Sequence, residues 1–138
     1  MTEKKDFTVL VVDDEEGLRD LLSLEFTSNG MRVETAKNGV QGLARAKERN
    51  FDVVVTDITM PEMDGLKFME SLKTVSPKTH VIIVTGFGAV ETAVYAMQQG
   101  ARDFVLKPYD VGYLVERIKR VMRDVPCCPL CGENKNDA

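Results

Sequence analysis

Short apolar runs alternate along this chain with longer stretches in which apolar residues recur every three or four positions. Phe7–Val12 reads as a continuous apolar strand, and Gly17–Ser28 follows with Leu18, Leu21, Leu22 and Phe26 at helical spacing. Asn29-Gly30 is the helix stop. Met31–Ala36 alternates more, as an edge strand does, and Gly39–Arg49 carries Leu43, Ala44 and Ala46 on a second helix. Phe51–Thr56 is uninterrupted, which predicts a strand buried on both faces. A third helix, Asp64–Thr74, opens at an aspartate cap. Val81–Val84 is the fourth strand. Ala89–Gln99 is the fourth helix, with Val90, Ala93, Val94 and Met97 on one stripe and Gly100 as its stop. Phe104–Leu106 is the fifth strand, and Val111–Val125 closes with Leu114, Val115, Ile118, Val121, Met122 and Val125 facing inward.

Five such strand–helix units imply a doubly wound parallel α/β sheet with right-handed crossovers and helices on both faces. Residues 1–125 form one domain in this reading. After Val125 the composition changes abruptly, so 126–138 is a tail and not a sixth unit. With 43% hydrophobic and 29% charged residues, the 138-residue chain has the make-up of an ordinary globular domain. Its net charge of -4 argues against a nucleic-acid-binding surface. No apolar stretch approaches the roughly 18 residues of a membrane span, and the start lacks a secretory h-region. The three cysteines crowd into positions 127–131, where they cannot staple the body of the chain. A cytoplasmic protein is expected.

In a parallel sheet the carboxyl ends of the strands share one edge, where open α/β folds place their chemistry. Four strand-like runs here end in reactive groups: Asp13-Asp14, Asp57, Thr85, and Lys107-Pro108. Each has an ordinary explanation when taken alone, as a helix cap, a turn residue, a solvated hydroxyl or a surface lysine. Together they point to one site. Neighbouring carboxylates repel, and a divalent cation removes that conflict. An all-oxygen ligand set suits Mg2+. A carboxylate can also accept a phosphoryl group, and Asp57, ending the central strand, is the candidate nucleophile. Lys107 would supply a positive charge to the phosphate and Thr85 a hydroxyl donor. Lys107-Pro108 is the candidate for a cis peptide bond.

The runs Val9-Leu10-Val11-Val12-Asp13-Asp14-Glu15, Asp52–Gly65 and Val84-Thr85-Gly86 resemble the receiver domains of two-component response regulators, as does Gly100–Pro108. The likeness covers about residues 7–124. It implies a flavodoxin-like (βα)5 fold with strand order 2-1-3-4-5. It also implies that a sensor histidine kinase or a histidine phosphotransfer protein donates its phosphoryl group to Asp57. Mg2+ would be held by Asp14, Asp57 and the backbone carbonyl of Thr59, with Asp13 acting through water. Such a domain is a self-catalysing phosphoacceptor that later loses its phosphoryl group to water, not a dedicated enzyme. Glu91-Thr92-Ala93 with Ala96-Met97 looks more like the receivers of nitrogen-regulation-type activators. A haloacid-dehalogenase-type phosphatase also uses an aspartyl nucleophile, Mg2+ and a lysine. That class typically carries a second Asp two residues after the nucleophile, where this chain has Thr59.

Phosphorylation would draw Thr85 toward the phosphoryl group, and Phe104 would then turn inward as a rotameric switch. The readout face would be the fourth helix, fifth strand and fifth helix, including Tyr95, Gln98, Gln99, Arg102 and Tyr113. A partner protein or an output domain outside this chain would receive the signal, with a phosphorylation-dependent homodimer as a further form. The basic stretch Arg117–Arg123 reads as a packed helix with a solvated outer face, so no direct contact with nucleic acid is expected. In the tail, Cys128-Pro129-Leu130-Cys131-Gly132 resembles one knuckle of a zinc ribbon, with Cys127 as a third thiolate. A second CxxC is missing, so closure would need two chains sharing a metal or a ribbon whose remainder is not present. A free tail and an intermolecular disulfide stand as the other readings.

Overall fold

Among the described residues strands and helices alternate: β1 (Thr8–Val12), α1 (Glu16–Ser28), β2 (Arg32–Ala36), α2 (Gly39–Glu48), β3 (Val53–Asp57), α3 (Gly65–Val75), β4 (His80–Thr85), α4 (Val90–Gln98), β5 (Asp103–Leu106) and α5 (Val111–Arg123). This computed structural model describes residues 7–57, 65–86 and 90–123. All strand pairs are parallel, in the order β2-β1-β3-β4-β5. The expected flavodoxin-like order is therefore observed, with β2 and β5 at the edges. The aspartate cap expected at Asp64 lies outside the described residues, as does the whole 126–138 tail.

Side chains alternate across a strand, so the apolar runs feed two cores at once. Leu10, Val12, Val54, Val81 and Ile83 point to one face, where they meet Ala46 of α2, Phe68, Met69 and Leu72 of α3, and Ala96 of α4. Val9, Val11, Val53, Val55, Ile82, Val84 and Val105 fill the other face against Leu22 and Phe26 of α1 and Leu114, Ile118 and Val121 of α5. Every residue of β3 is buried, as its unbroken run predicted. β3 starts two residues later than expected and takes in Asp57, while β5 starts at Asp103 rather than Phe104.

Both glycine stops hold. Gly30 and Gly100 have φ of 85° and 115°, a region L side chains rarely enter. After each, the next residue's N–H reaches back to close the helix: Met31 to the Phe26 carbonyl and Ala101 to that of Ala96. Two inward stripes were misjudged. Leu21 of α1 and Val94 of α4 are each 46% exposed, whereas Ala96 is fully buried. Ala44 of α2 is exposed as well, leaving Leu43 and Ala46 to face the sheet. Gly42 allows α2 to sit close: a Cβ there would lie 3.0 Å from Val12 Cγ2 and 3.1 Å from the Phe68 ring.

Candidate functional site

Strand register alone brings the reactive residues together. Val12 pairs with Thr56, which sets Asp13 and Asp57 at the next step along neighbouring strands. Asp57 pairs with Val84, so Thr85 follows directly beside it. Thr85 in turn pairs with Leu106, and Lys107 is the next residue. Four groups from four strands thus end on one edge of the sheet. Asp13 is 5% exposed, Asp57 8% and Thr85 1%.

Lys107 closes the cluster. Its ammonium donates to Asp57 Oδ2 at 2.7 Å, and its backbone N–H donates to the Thr85 carbonyl at 2.8 Å. The Lys107-Pro108 bond is cis, as expected. Asp13 is held on three sides: its N–H donates to the Ala36 carbonyl, its own carbonyl accepts from Arg19 Nη1 at 2.8 Å, and its Oδ1 accepts from the Glu15 N–H at 2.9 Å. Arg19 was not singled out from the sequence, since one arginine on an amphipathic helix carries no signal of its target.

The electrostatics fit a site in which carboxylates outnumber the one ammonium of Lys107. Burial, opposed by the Glu15 N–H and by Lys107 and reinforced by the charges of Asp57 and Asp14, raises the Asp13 pKa above the ordinary carboxylate value. For Lys107, burial works downward. The hydrogen bond and charge of Asp57, with Asp13 and Glu15 behind it, outweigh that and hold its pKa above the usual lysine value. Two hydroxyls, Thr85 Oγ1 and Tyr109 Oη, are buried and have no hydrogen-bond partner among the described residues. A buried donor without an acceptor costs roughly 1–3 kcal/mol, which makes both functional candidates. Tyr109 was missed at the level of sequence. The only available signal was its place two residues beyond Lys107.

The metal set assembles in part. Asp13 and Asp57 converge, and Asp14 is exposed at the rim. Thr59 lies outside the described residues. Among the described residues no three His, Cys, Asp or Glu side chains are gathered as a ready metal cluster. The donors that do converge are carboxylate oxygens, and the two buried ones repel each other. That chemistry fits a small hard cation. Phe104 is half-buried and packs against the α2–α3–α4 core. Tyr95 and Tyr113 are exposed on the expected readout face. There Arg117 pairs with Asp103 and lies 5.7 Å over the Tyr113 ring. Cys127, Cys128 and Cys131 lie outside the described residues.

A parallel five-stranded sheet in the order β2-β1-β3-β4-β5, with Asp13, Asp57, Thr85 and Lys107 gathered at its carboxyl edge, is a doubly wound α/β fold of the flavodoxin-like kind. A family model described as the response regulator receiver domain matches residues 9–119, and the chain belongs to that family. It is 39% identical over 115 residues to the regulatory protein AtoC of Escherichia coli strain K12, a match covering 83% of this chain and 25% of that protein. The solved receiver domain of NtrX from Brucella abortus is 33% identical, with a TM-score of 0.79, covering 83% of this chain and 98% of that one. A receiver domain structure from Clostridium thermocellum gives 31% identity and a TM-score of 0.81, covering 85% and 94%. These similarities agree with the expected likeness to receivers of nitrogen-regulation-type activators. The chain spans about a quarter of the length of the curated relatives it matches first. Among the described residues no helix is long and apolar enough to cross a membrane.

Proposed function

We propose that this chain is a phosphorylation switch of a two-component system, with Asp57 as the phosphoacceptor. The observation that carries this reading is the Asp57–Lys107 contact of 2.7 Å at the sheet edge, beside the buried, unpartnered Thr85 hydroxyl. In the transfer, an Asp57 oxygen attacks phosphorus, and the N–P bond of a phosphohistidine on the donor kinase or phosphotransfer protein breaks. The imidazole nitrogen keeps the electron pair and takes up a proton. Lys107 stays close enough to the acceptor carboxylate to pair with the new phosphoryl oxygens, and the Thr85 hydroxyl gains the acceptor it lacks. Bound Mg2+, which Asp14, Asp57 and the Thr59 carbonyl would hold with Asp13 acting through water, supplies charge neutralisation to the transferring group. Attack by water later cleaves the aspartyl phosphate, releasing inorganic phosphate and restoring Asp57. The chain turns over no free substrate in this scheme.

Thr85 and Phe104 pass the change to the face formed by α4, β5 and α5. An output domain outside this chain, a separate partner protein or a second phosphorylated copy reads it, in the cytoplasm. The central test is acetyl phosphate with Mg2+, followed by intact mass. The wild type is expected to gain one phosphoryl group and Asp57→Ala none; labelling of both proteins alike would overturn the assignment. For the switch, the beryllofluoride-bound structure is expected to show Phe104 and α4 displaced. An unchanged Phe104 there would remove that part of the proposal.

A further inference from the structure

The turn that carries Asp13 and Asp14 is fastened from α1 by a side chain the proposed transfer does not use. Arg19 is half-buried in the first turn of that helix, and its Nη1 donates to the Asp13 backbone carbonyl at 2.8 Å. Glu15 and Glu16 stand four and three residues before it, the spacing at which helical ion pairs form. Among the described residues, however, Arg19 makes no ion pair, and its guanidinium goes to this neutral oxygen instead.

The place of that oxygen matters. It belongs to the peptide plane that joins Asp13 to Asp14, and a peptide unit is rigid. A clamp on it fixes how the chain leaves Asp13 and where Asp14 begins. Upstream, the Asp13 N–H is tied to the Ala36 carbonyl of β2 at 3.1 Å. Downstream, Asp13 Oδ1 accepts from the Glu15 N–H at 2.9 Å, while the Glu15 side chain caps nothing. The Asp14 carboxylate is exposed and accepts no hydrogen bond among the described residues, so the backbone that carries it sets its place. We propose that Arg19 is a positioning residue of the metal site: through the Asp13 carbonyl it presets the Asp13-Asp14 turn before a cation binds. The inference rests on the phosphoacceptor reading above, in which these two aspartates serve Mg2+. Outer partners of metal ligands are typically worth about 10- to 100-fold in affinity.

The test is Arg19→Met, which keeps an unbranched stem and removes the donors. Mg2+ affinity of the unphosphorylated protein, measured by titration calorimetry, is expected to fall about tenfold. Labelling by acetyl phosphate should slow at limiting Mg2+ and regain the wild-type rate at saturating Mg2+. Arg19→Lys restores a charged donor and should recover part of the lost affinity. A measurement on wild type needs no substitution. Linkage is reciprocal, so added Mg2+ should shift the Arg19 guanidinium NMR signals along with the Asp13 and Asp14 amides. Unchanged affinity in Arg19→Met would overturn the inference, and so would a rate that stays depressed at saturating Mg2+. Guanidinium signals that stay put while those amides shift would overturn it too, even where the variant fails to fold. A wild type not labelled on Asp57 would sink the underlying reading and the inference with it; a labelled wild type with unchanged Mg2+ affinity in Arg19→Met sinks the inference alone.

Discussion

At the scale of the residue, Tyr109 and Lys107 make the most direct predictions. Burial, with the charges of Asp13, Asp57 and Glu15, pushes the Tyr109 phenol up to about 12. A group whose pKa is raised on folding contributes stability that is complete below its unfolded value. For this phenol that value is about 10, so stability is lost as pH rises from there toward 12. Ultraviolet titrations of the wild type and of Tyr109→Phe should therefore differ by one ionisation at about 12. Stability of the wild type should decline over that alkaline window, and Tyr109→Phe should flatten the decline. A difference between the two titrations that instead falls at about pH 10 would refute the assignment. Lys107→Ala removes the ammonium from Asp57 and should slow labelling by acetyl phosphate on the order of 100-fold. Intact mass against time gives the comparison.

Legibility also differs residue by residue. Asp13, Asp57, Thr85 and Lys107 could be found in the sequence because each ends or directly follows an apolar run, and parallel pairing carries such ends to one edge. Tyr109 could not, because its ring belongs to the core and its hydroxyl to the site, and a lone tyrosine after Lys-Pro displays neither. Arg19 was hidden for a similar reason: its target is a backbone carbonyl, which has no sequence signature.

Among the elements, strands were easier to read than helix faces. The runs of β1, β3 and β4 are buried on both sides, so nearly every residue reports the same environment. A helix reports only a stripe, and its margins depend on neighbours that the sequence does not display. That is why Leu21 and Val94, on the margins of α1 and α4, turned out half exposed. The seat of α2 gives a quantitative check. Replacing Gly42 by alanine would gain about 1 kcal/mol in helix propensity. The new methyl, however, would press on Val12 and Phe68, which are fully buried and have no room to yield. Overpacking of this kind costs about 1–3 kcal/mol, so Gly42→Ala should be net destabilising by on the order of 1 kcal/mol. A urea midpoint equal to or above that of the wild type would contradict this packing. In α5, Ile118→Ala should cost about 2–5 kcal/mol, because Ile118 is fully buried between the helix and the sheet.

For the whole molecule, strand order ranks the local stability of the sheet. β1, β3 and β4 are paired on two sides, while β2 and β5 have one neighbour each among the described strands. Amide hydrogen exchange should be slowest in those three inner strands and faster at both edges. Equal protection in β5 would argue against this ranking. The reactive groups sit on the protected strands with one exception, Lys107, which follows the edge strand. The proposed readout face is built on that same edge, which carries Phe104, Tyr113 and the Arg117–Asp103 pair.

One backbone contact gives this arrangement its mechanical sense. The Lys107 amide is fastened to the Thr85 carbonyl. The hydroxyl carrier and the charge carrier therefore travel as a single piece. A pull on the Thr85 backbone is expected to be felt at the outermost strand, and a grip on that strand to be felt at the lysine. On the phosphoacceptor reading proposed above, a binder clasped to the rim of the sheet should thus alter how long a phosphoryl group survives on Asp57, though it never touches the aspartate.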